Sequence, residues 1–385
     1  MKIAFATTLG FKQPTMLGRV LPLANYLASR HSVIILHLDK APLSLNKDQI
    51  KPYRVGNLPF TITPHGKRRL QGLSLLLNLF STALKTAFTL RRLRPDVIII
   101  VKPMPHNVAG VWLSRSRAKI ILDADDFELS SNKLSSFTQR AGVHWAERQA
   151  LKLAHSVVVA SPFLSDRYRH LTSKFSKPPE ITLIPTGIES VRNKHTPQTS
   201  SNKINLTYLG SLSISSGHRV DLLPDILKKV RQKFPQTTLL IAGSGDDRRQ
   251  LEKAFSKRKL SPAVIWHGRF SQNQLANLLA KTDLLVDPID ASITQRAKSS
   301  FRCVVAGAWG LPIVTSDVGV RPQLLPRDLH HRFFAEPNDT VGYTQKIIDL
   351  IQNPLTTQEK SNMRTLAEIY TWPVLAQQYQ SIINQ

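Results

Sequence analysis

The chain has 385 residues, 42% of them hydrophobic and 20% charged, the make-up of a globular protein long enough for two domains of ordinary size. A single cysteine, Cys303, excludes an intramolecular disulfide framework and a cysteine-based zinc site. The formal net charge of +26 points to an anionic membrane, to nucleic acid, or simply to a basic solvated surface.

The N-terminal MKIAFATTLG carries one lysine and no long apolar core, so it reads as a first strand and not as a signal peptide. Further strands are expected at 32–36, 97–101, 120–123, 156–160 and 181–185, with helices between them, for example at 18–29 and 140–154. No Asp or Glu lies between Asp48 and Asp96, an interval that holds Lys51, Arg54, Lys67, Arg68, Arg69, Lys85, Arg91, Arg92 and Arg94. Within it Leu73, Leu76, Leu77, Phe80, Leu84 and Phe88 recur at helical spacing. Two readings of 66–94 follow: an amphipathic helix lying on an anionic membrane, or a surface helix packing its apolar stripe on a sheet. The uncharged run 70–84 is too short to span a bilayer. Nucleic acid is not expected, because the basic segment has few stackable aromatics and no recognition-motif spacing.

A polar segment, 191–203 (VRNKHTPQTSSNK), reads as a linker. It separates a first domain, 1–190, from a second, 204–365, with strands at 205–208, 238–242, 264–267, 284–287 and 313–315 and helices near 220–233, 246–256, 271–280 and 340–352. The expected architecture is α/β: two doubly wound Rossmann-like domains whose strand ends face a cleft.

Three clusters carry chemistry. In RAKSSFRCVVAGAWGLPIVTSDVG, Arg296, Lys298 and Ser299 approach the start of a small-residue helix, where free N–H groups and the helix dipole favour an anion. In LDADDFEL, Asp123, Asp125, Asp126 and Glu128 crowd a strand end. There they are candidates for binding substrate hydroxyls, or else serve as a helix cap and first-turn acids. Lys102 and His106, in KPMPHN, follow another strand and are candidates for the acceptor side together with Asp123. The 12 histidines show no metal spacing such as HExxH, and no ligand set for a divalent metal is apparent.

The motifs LTYLGSL (206–212), LIAGSGDDRRQL (240–251), WHGRFSQNQL (266–275), AKTDLLVDP (280–288), GAWGLPIV (307–314) and the closing YTWPVLAQQY (370–379) resemble, in order and spacing, the GT-B glycosyltransferase family numbered four. VVVASPFLS (157–165) and LIPTGIE (183–189) resemble its first-domain pieces. The resemblance implies a terminal helix, within 366–385, that returns to the first domain. It also implies retaining, metal-independent transfer of a hexose from a UDP- or GDP-linked sugar to a lipid-linked or polysaccharide acceptor, in the cytoplasm or peripherally on the inner face of the membrane. No cofactor is implied beyond this donor.

Carried over residue by residue, the donor would meet Gly10, Gly210, Ser211, Ser216, Gly217, His218, Arg219, Gly243, His267, Gly268, Arg269, Asp287, Lys298, Ser299 and Arg302. Lys298 and Arg302 would hold the diphosphate, and Asp125, Asp126 and Lys298 would act in catalysis. An exposed helix position is the other reading of Arg302. Ser211 and Ser216 stand where the family often has Arg and Lys. Ala297 and Val305 stand where it often has two glutamates, the second on the ribose; Asp287 or Asp290 is the expected replacement. The missing acids leave open a catalytically silent nucleotide-sugar or partner-binding protein, and the fold leaves open a UDP-sugar 2-epimerase-like isomerase.

Overall fold

The computed structural model describes residues 1–39, 49–63, 66–132, 134, 136–191 and 203–385; residues 192–202 of the expected linker lie outside them. The described strands are β1 (Lys2–Thr7), β2 (Ser32–His37), β3 (Ile50–Arg54), β4 (Phe60–Thr63), β5 (Gly66–Arg69), β6 (Val97–Val101), β7 (Lys119–Ala124), β8 (Ser156–Val159), β9 (Glu180–Leu183), β10 (Asn205–Leu209), β11 (Thr238–Ala242), β12 (Val264–Gly268), β13 (Leu284–Val286) and β14 (Ile313–Val314). The chain divides into two compact units. One comprises Met1–Glu189, Ala297–Ser299 and Trp372–Gln385; the other comprises Ser190–Arg296 and Ser300–Thr371.

The first unit is built on a parallel seven-stranded sheet of order β3-β2-β1-β6-β7-β8-β9, with β4 and β5 forming a separate antiparallel hairpin. The strand VIIIV of β6 is buried throughout, as a parallel strand covered on both faces must be. Alternate side chains serve opposite faces. Ile3, Phe5, Ile99 and Val101 pack with Leu23 of the helix Leu21–Ala28 and with Leu375 and Tyr379 of the terminal helix Trp372–Asn384. Ala4, Ala6, Ile98 and Ile100 pack with Leu90, Val108, Ala146 and Leu164. Those four residues come from the helices Gly72–Leu93, Pro105–Ser114, Phe137–Leu153 and Pro162–Thr172. The sequence pattern does not signal β3. It is an edge strand carrying Lys51, Pro52 and Arg54, residues that suit an edge and hide a strand's hydrophobic signature.

The second unit has a parallel five-stranded sheet of order β12-β11-β10-β13-β14. The helix Phe301–Trp309 packs on Thr357–Glu368, a helix that the sequence pattern does not signal. A side chain added at Gly307 would come within 3.1 Å of the Ala367 Cβ, so the absence of one lets the two helices approach. Both units are doubly wound α/β layers, as the alternation of strands and helices implies. In each sheet the chain reverses its direction of growth at one point, between β1 and β6 and between β10 and β13. Ligands of open parallel sheets bind outside the carboxyl ends of the strands at such a switch point.

Candidate functional site

In the second unit, Gly210 follows β10 and Asp287 follows β13, on the two sides of the switch point. The loops after β10 and β11 are joined backbone to backbone: Gly210 N–H donates to Ala242 O at 2.9 Å and Leu212 N–H to Ser244 O at 3.1 Å. A Cβ at Gly243 would fall 1.7 Å from Gly210 O, so only glycine permits that approach. Gly217, at φ 80°, closes the short 3-10 turn Ile214–Ser216. Its loop is tied to the segment after β13 by Arg219 N–H to Pro288 O and Asp290 N–H to Gly217 O.

Behind this loop lies a buried ionic network. Asp287 is fully buried and is shared by Arg302 Nη2 at 2.7 Å and Arg321 Nε at 3.2 Å, with Thr315 Oγ1 donating at 3.0 Å. Arg302 also donates to Leu209 O at 2.7 Å and lies over the Tyr208 ring. Its Nη2 is 3.1 Å from His218 Nδ1, a contact in which Nδ1 accepts and the ring proton sits on Nε2. Arg321 Nη2 donates to Gln295 Oε1, and Gln295 Nε2 donates to Ser216 O at 2.8 Å. Burial works against the charged carboxylate of Asp287, yet Arg302 and Arg321 outweigh it and hold its pKa down to about 2.

This geometry corrects several expectations. Asp287 is sealed behind two guanidinium groups and presents no oxygen to a ribose. Arg302 is 7% exposed and ion-paired, so it is no solvated helix residue, and its charge is committed to Asp287. Arg219 is engaged by Asp221 through Nε and Nη2. Val305 and Ala297 are both fully buried.

Most of the remaining donor-side candidates fall on the strand-end loops. Ser211 is exposed, while Ser216 and His218 are half-buried. His267, Gly268 and Arg269 lie at the exposed end of the edge strand β12, with Arg269 Nε donating to Ser244 Oγ at 2.8 Å. Lys298 and Ser299 are half-buried in the turn between the helices Ile293–Ala297 and Phe301–Trp309. Asp290 is half-buried and accepts from Ser292 N–H.

In the first unit the acids gather at the end of β7, beside the end of β6. Lys102, at φ 62°, turns out of β6. Its Nζ lies 3.1 Å from Asp125, 3.1 Å from Glu128 and 3.8 Å from Asp126. Thr15 Oγ1 donates to Asp125 at 2.9 Å. Asn107 Nδ2 pins the neighbouring strand ends by donating to Val101 O and Lys102 O. Burial disfavours the Lys102 charge, but Asp125, Glu128 and Asp126 keep its pKa well above the ordinary lysine value. Burial pushes Glu128 up, with Asp126 and Asp125 repelling its charge. One ammonium therefore serves three carboxyl groups, leaving acceptor oxygens in excess, which suits hydroxyl donors. The capping alternative for Asp126 does not hold: the N-cap of the short helix Glu128–Ser131 is Phe127, and Asp126 accepts from Phe127 N–H and Ser131 Oγ.

Asp123 and His106 depart from their expected acceptor-side places. Asp123 is 1% exposed and held by Arg19, whose Nη2 lies 2.7 Å away. Arg19 sits in a π-helical turn, Met16–Val20, and also donates to Ile184 O, Pro185 O and the Tyr379 hydroxyl. His106 is 4% exposed with no hydrogen-bond partner at either nitrogen, and burial brings its pKa down to about 4. Gly10 is buried too, its α-carbon facing Asp39 and Leu58.

The depressed pKa of His106 has a consequence for stability. The unfolded chain takes up this proton below pH about 6.5 and the folded chain only below about 4. Stability should therefore fall with pH across that window, by on the order of 3 kcal/mol from this group. His106→Phe should flatten that part of a urea-unfolding pH series; an unchanged slope would assign it elsewhere. Among the described residues, no group of three or more His, Cys, Asp or Glu is placed to hold a metal ion.

Two parallel α/β units, each with polar residues clustered at its switch point, define the class of α/β proteins with paired Rossmann-like units. Residues 16–187 match the family described as glycosyl transferase 4-like domain, and residues 203–353 match glycosyl transferases group 1. The chain belongs to the group 1 glycosyltransferases of the GT-B fold. A phosphatidylinositol N-acetylglucosaminyltransferase subunit of Arabidopsis thaliana is 22% identical over 54% of this chain and 44% of its own length. Glycogen synthase of Mycobacterium tuberculosis is 24% identical over 61% of this chain and 55% of its own. The chain thus spans about half the length of the curated relatives it matches. Among solved structures, sucrose-phosphate synthase of Thermosynechococcus elongatus superposes with a TM-score of 0.74 at 17% identity, covering 100% of this chain and 98% of that one. Anabaena HepE, solved with UDP and glucose, gives 0.73 at 18% identity, with 100% of both chains covered.

Proposed function

We propose that the protein transfers a hexose from a UDP- or GDP-linked sugar to a lipid-linked or polysaccharide acceptor. Transfer proceeds with retention and without a metal, on the cytoplasmic side and peripherally at the inner face of the membrane. The observation that carries the reading is the placement of Lys298. It is half-buried, makes no ion pair among the described residues, and precedes the nine-residue helix Phe301–Trp309. As the glycosidic bond breaks, negative charge grows on the leaving diphosphate, and an ammonium beside a helix N-terminus stabilises that charge more than it stabilises the ground state. The loop 211–218 offers further N–H groups, and Asp290 takes the ribose role that buried Asp287 cannot fill. In the first unit, Asp125 and Asp126 orient sugar hydroxyls, and Lys102 keeps Asp125 ionised. The names of the relatives lend support: HepE was solved with UDP and glucose, and phosphatidylinositol, a lipid, stands in the Arabidopsis name.

Release of UDP and GDP from a panel of nucleotide sugars, with and without acceptor, tests this. Lys298→Ala should lower turnover by about 10²–10³-fold with an unchanged melting temperature, and Lys298→Arg should recover part of it. The buried, apolar Val305 and Ala297 favour a second reading, a silent nucleotide-sugar-binding protein. UDP or GDP binding without release from any donor would establish that reading instead.

A further inference from the structure

The helix Gly72–Leu93 is packed in an inverted sense. Its buried side chains are small or polar, Thr82, Ala83, Thr86 and Ala87, with Leu90. They lie against the helix Pro105–Ser114, where the Cβ of Thr86 would stand 2.6 Å from a Cβ added at Gly110. Its large apolar side chains face outward: Leu73, Leu76, Leu77, Phe80, Leu84 and Phe88 are each between 46% and 70% exposed. At 100° per residue these six fall within an arc of about 120° and run for about 22 Å along the axis. Such an exposed apolar stripe needs a cover.

Charge identifies the cover. Lys85, Arg91, Arg92 and Arg94 are exposed along and beyond this helix, Lys67, Arg68 and Arg69 precede it in the sequence, and no acid lies between Asp48 and Asp96. A protein partner would more often bring mixed charge to such a rim, whereas an anionic lipid layer offers hydrocarbon beneath a negative surface. By length and composition the helix could cross a membrane, but its attachment sets its posture. Arg91 donates to Leu113 O and Ser114 O, and Lys2 Nζ donates to Leu93 O. With one face packed and its end clamped, the helix meets a bilayer sideways. Trp112, 51% exposed on the neighbouring helix, adds an indole of the kind that settles at lipid headgroups.

We infer that the outward face of Gly72–Leu93 is a membrane-docking surface, which lays this helix in the plane of an anionic lipid leaflet with its six Leu and Phe side chains in the acyl boundary. The inference rests on the peripheral-membrane part of the reading above and names the surface that performs it.

Sedimentation with phosphatidylcholine vesicles, with and without phosphatidylglycerol, tests it. The wild-type chain should pellet with the phosphatidylglycerol vesicles, less so as salt rises. The variant Leu76→Gln/Phe80→Gln/Phe88→Gln should bind at least about tenfold more weakly, with its melting temperature nearly unchanged because those side chains are mostly exposed. Lys85→Gln/Arg92→Gln should bind more weakly and lose much of the salt dependence. A wild-type chain that stays in the supernatant, or a triple variant that pellets equally, would overturn the inference. So would a vesicle-free dimer that the triple variant dissociates, since a second copy would then cover the face. Nucleotide release measured without vesicles separates the two questions: its failure bears on the transfer reaction alone, and failure to pellet bears on docking alone.

Discussion

Asp287→Ala is expected to cost about 3–5 kcal/mol, because it leaves Arg302 and Arg321 buried without a counter-charge. Both guanidinium groups are nearly inaccessible, at 7% and 1% exposure, so neither can recover hydration without the loop shifting. In a unit of this size the loss corresponds to a fall of roughly 10 °C in the melting temperature. Asp287→Asn, which keeps the shape and one acceptor oxygen, should fall between alanine and wild type. The damage should extend to ligand binding, since Arg321 reaches Ser216 through Gln295 and Arg302 contacts His218; the loop carrying Gly217 would lose its support. The pH dependence has a definite sign. The folded pKa lies below the ordinary value of 3.8, at about 2, so this stabilisation is complete above pH about 4 and is lost as pH falls toward 2. A thermal melt of Asp287→Ala within about 1 kcal/mol of wild type would contradict the network's role.

Asp123→Ala should be nearly as severe in the first unit, again about 3–5 kcal/mol, because Arg19 then stays buried and unpaired. Arg19 gathers several parts of that unit, reaching Asp123 in β7, the Ile184 and Pro185 carbonyls after β9, and Tyr379 on the terminal helix. Asp123 and Arg19 should therefore couple strongly. Arg19→Met combined with Asp123→Ala should be less destabilised than the sum of the single variants by more than about 2 kcal/mol. Urea unfolding of the four proteins completes the cycle, and additive single effects would show that the pair does not act as a unit.

Much of the strand-end chemistry was legible in the sequence. Lys102 follows the all-apolar run VIIIV and the acids of LDADDFEL follow another apolar run; in a parallel sheet such runs end at the ligand side. Their mutual contact, one ammonium among three carboxyl groups, follows from β6 and β7 being neighbours. The partners that seal some of these residues were not legible. Arg19 and Arg321 look like ordinary solvated residues, because nothing local marks an arginine that will be buried. A weak signal did exist: a carboxylate directly after a fully apolar strand, such as Asp287 after LLV, needs a buried cation somewhere. His106 carried no such signal, and its proximity to Lys102 in sequence suggested access that its inward rotation removes.

The sequence by itself determined the two parallel α/β layers, the glycines that let strand-end loops meet, and a basic, acid-free helix with a continuous apolar stripe. These follow from periodicity and local backbone preference, which act over a few residues. Only the tertiary structure decided which charges are spent on one another and which face of Gly72–Leu93 remains outside. Asp123 and Arg19 are 104 positions apart, and Asp287 and Arg321 are 34 apart, so their pairing depends on strand order. The stripe faces outward because Thr86 and Ala83 fit closely against Gly110, where larger Leu and Phe side chains would hold the two helices apart.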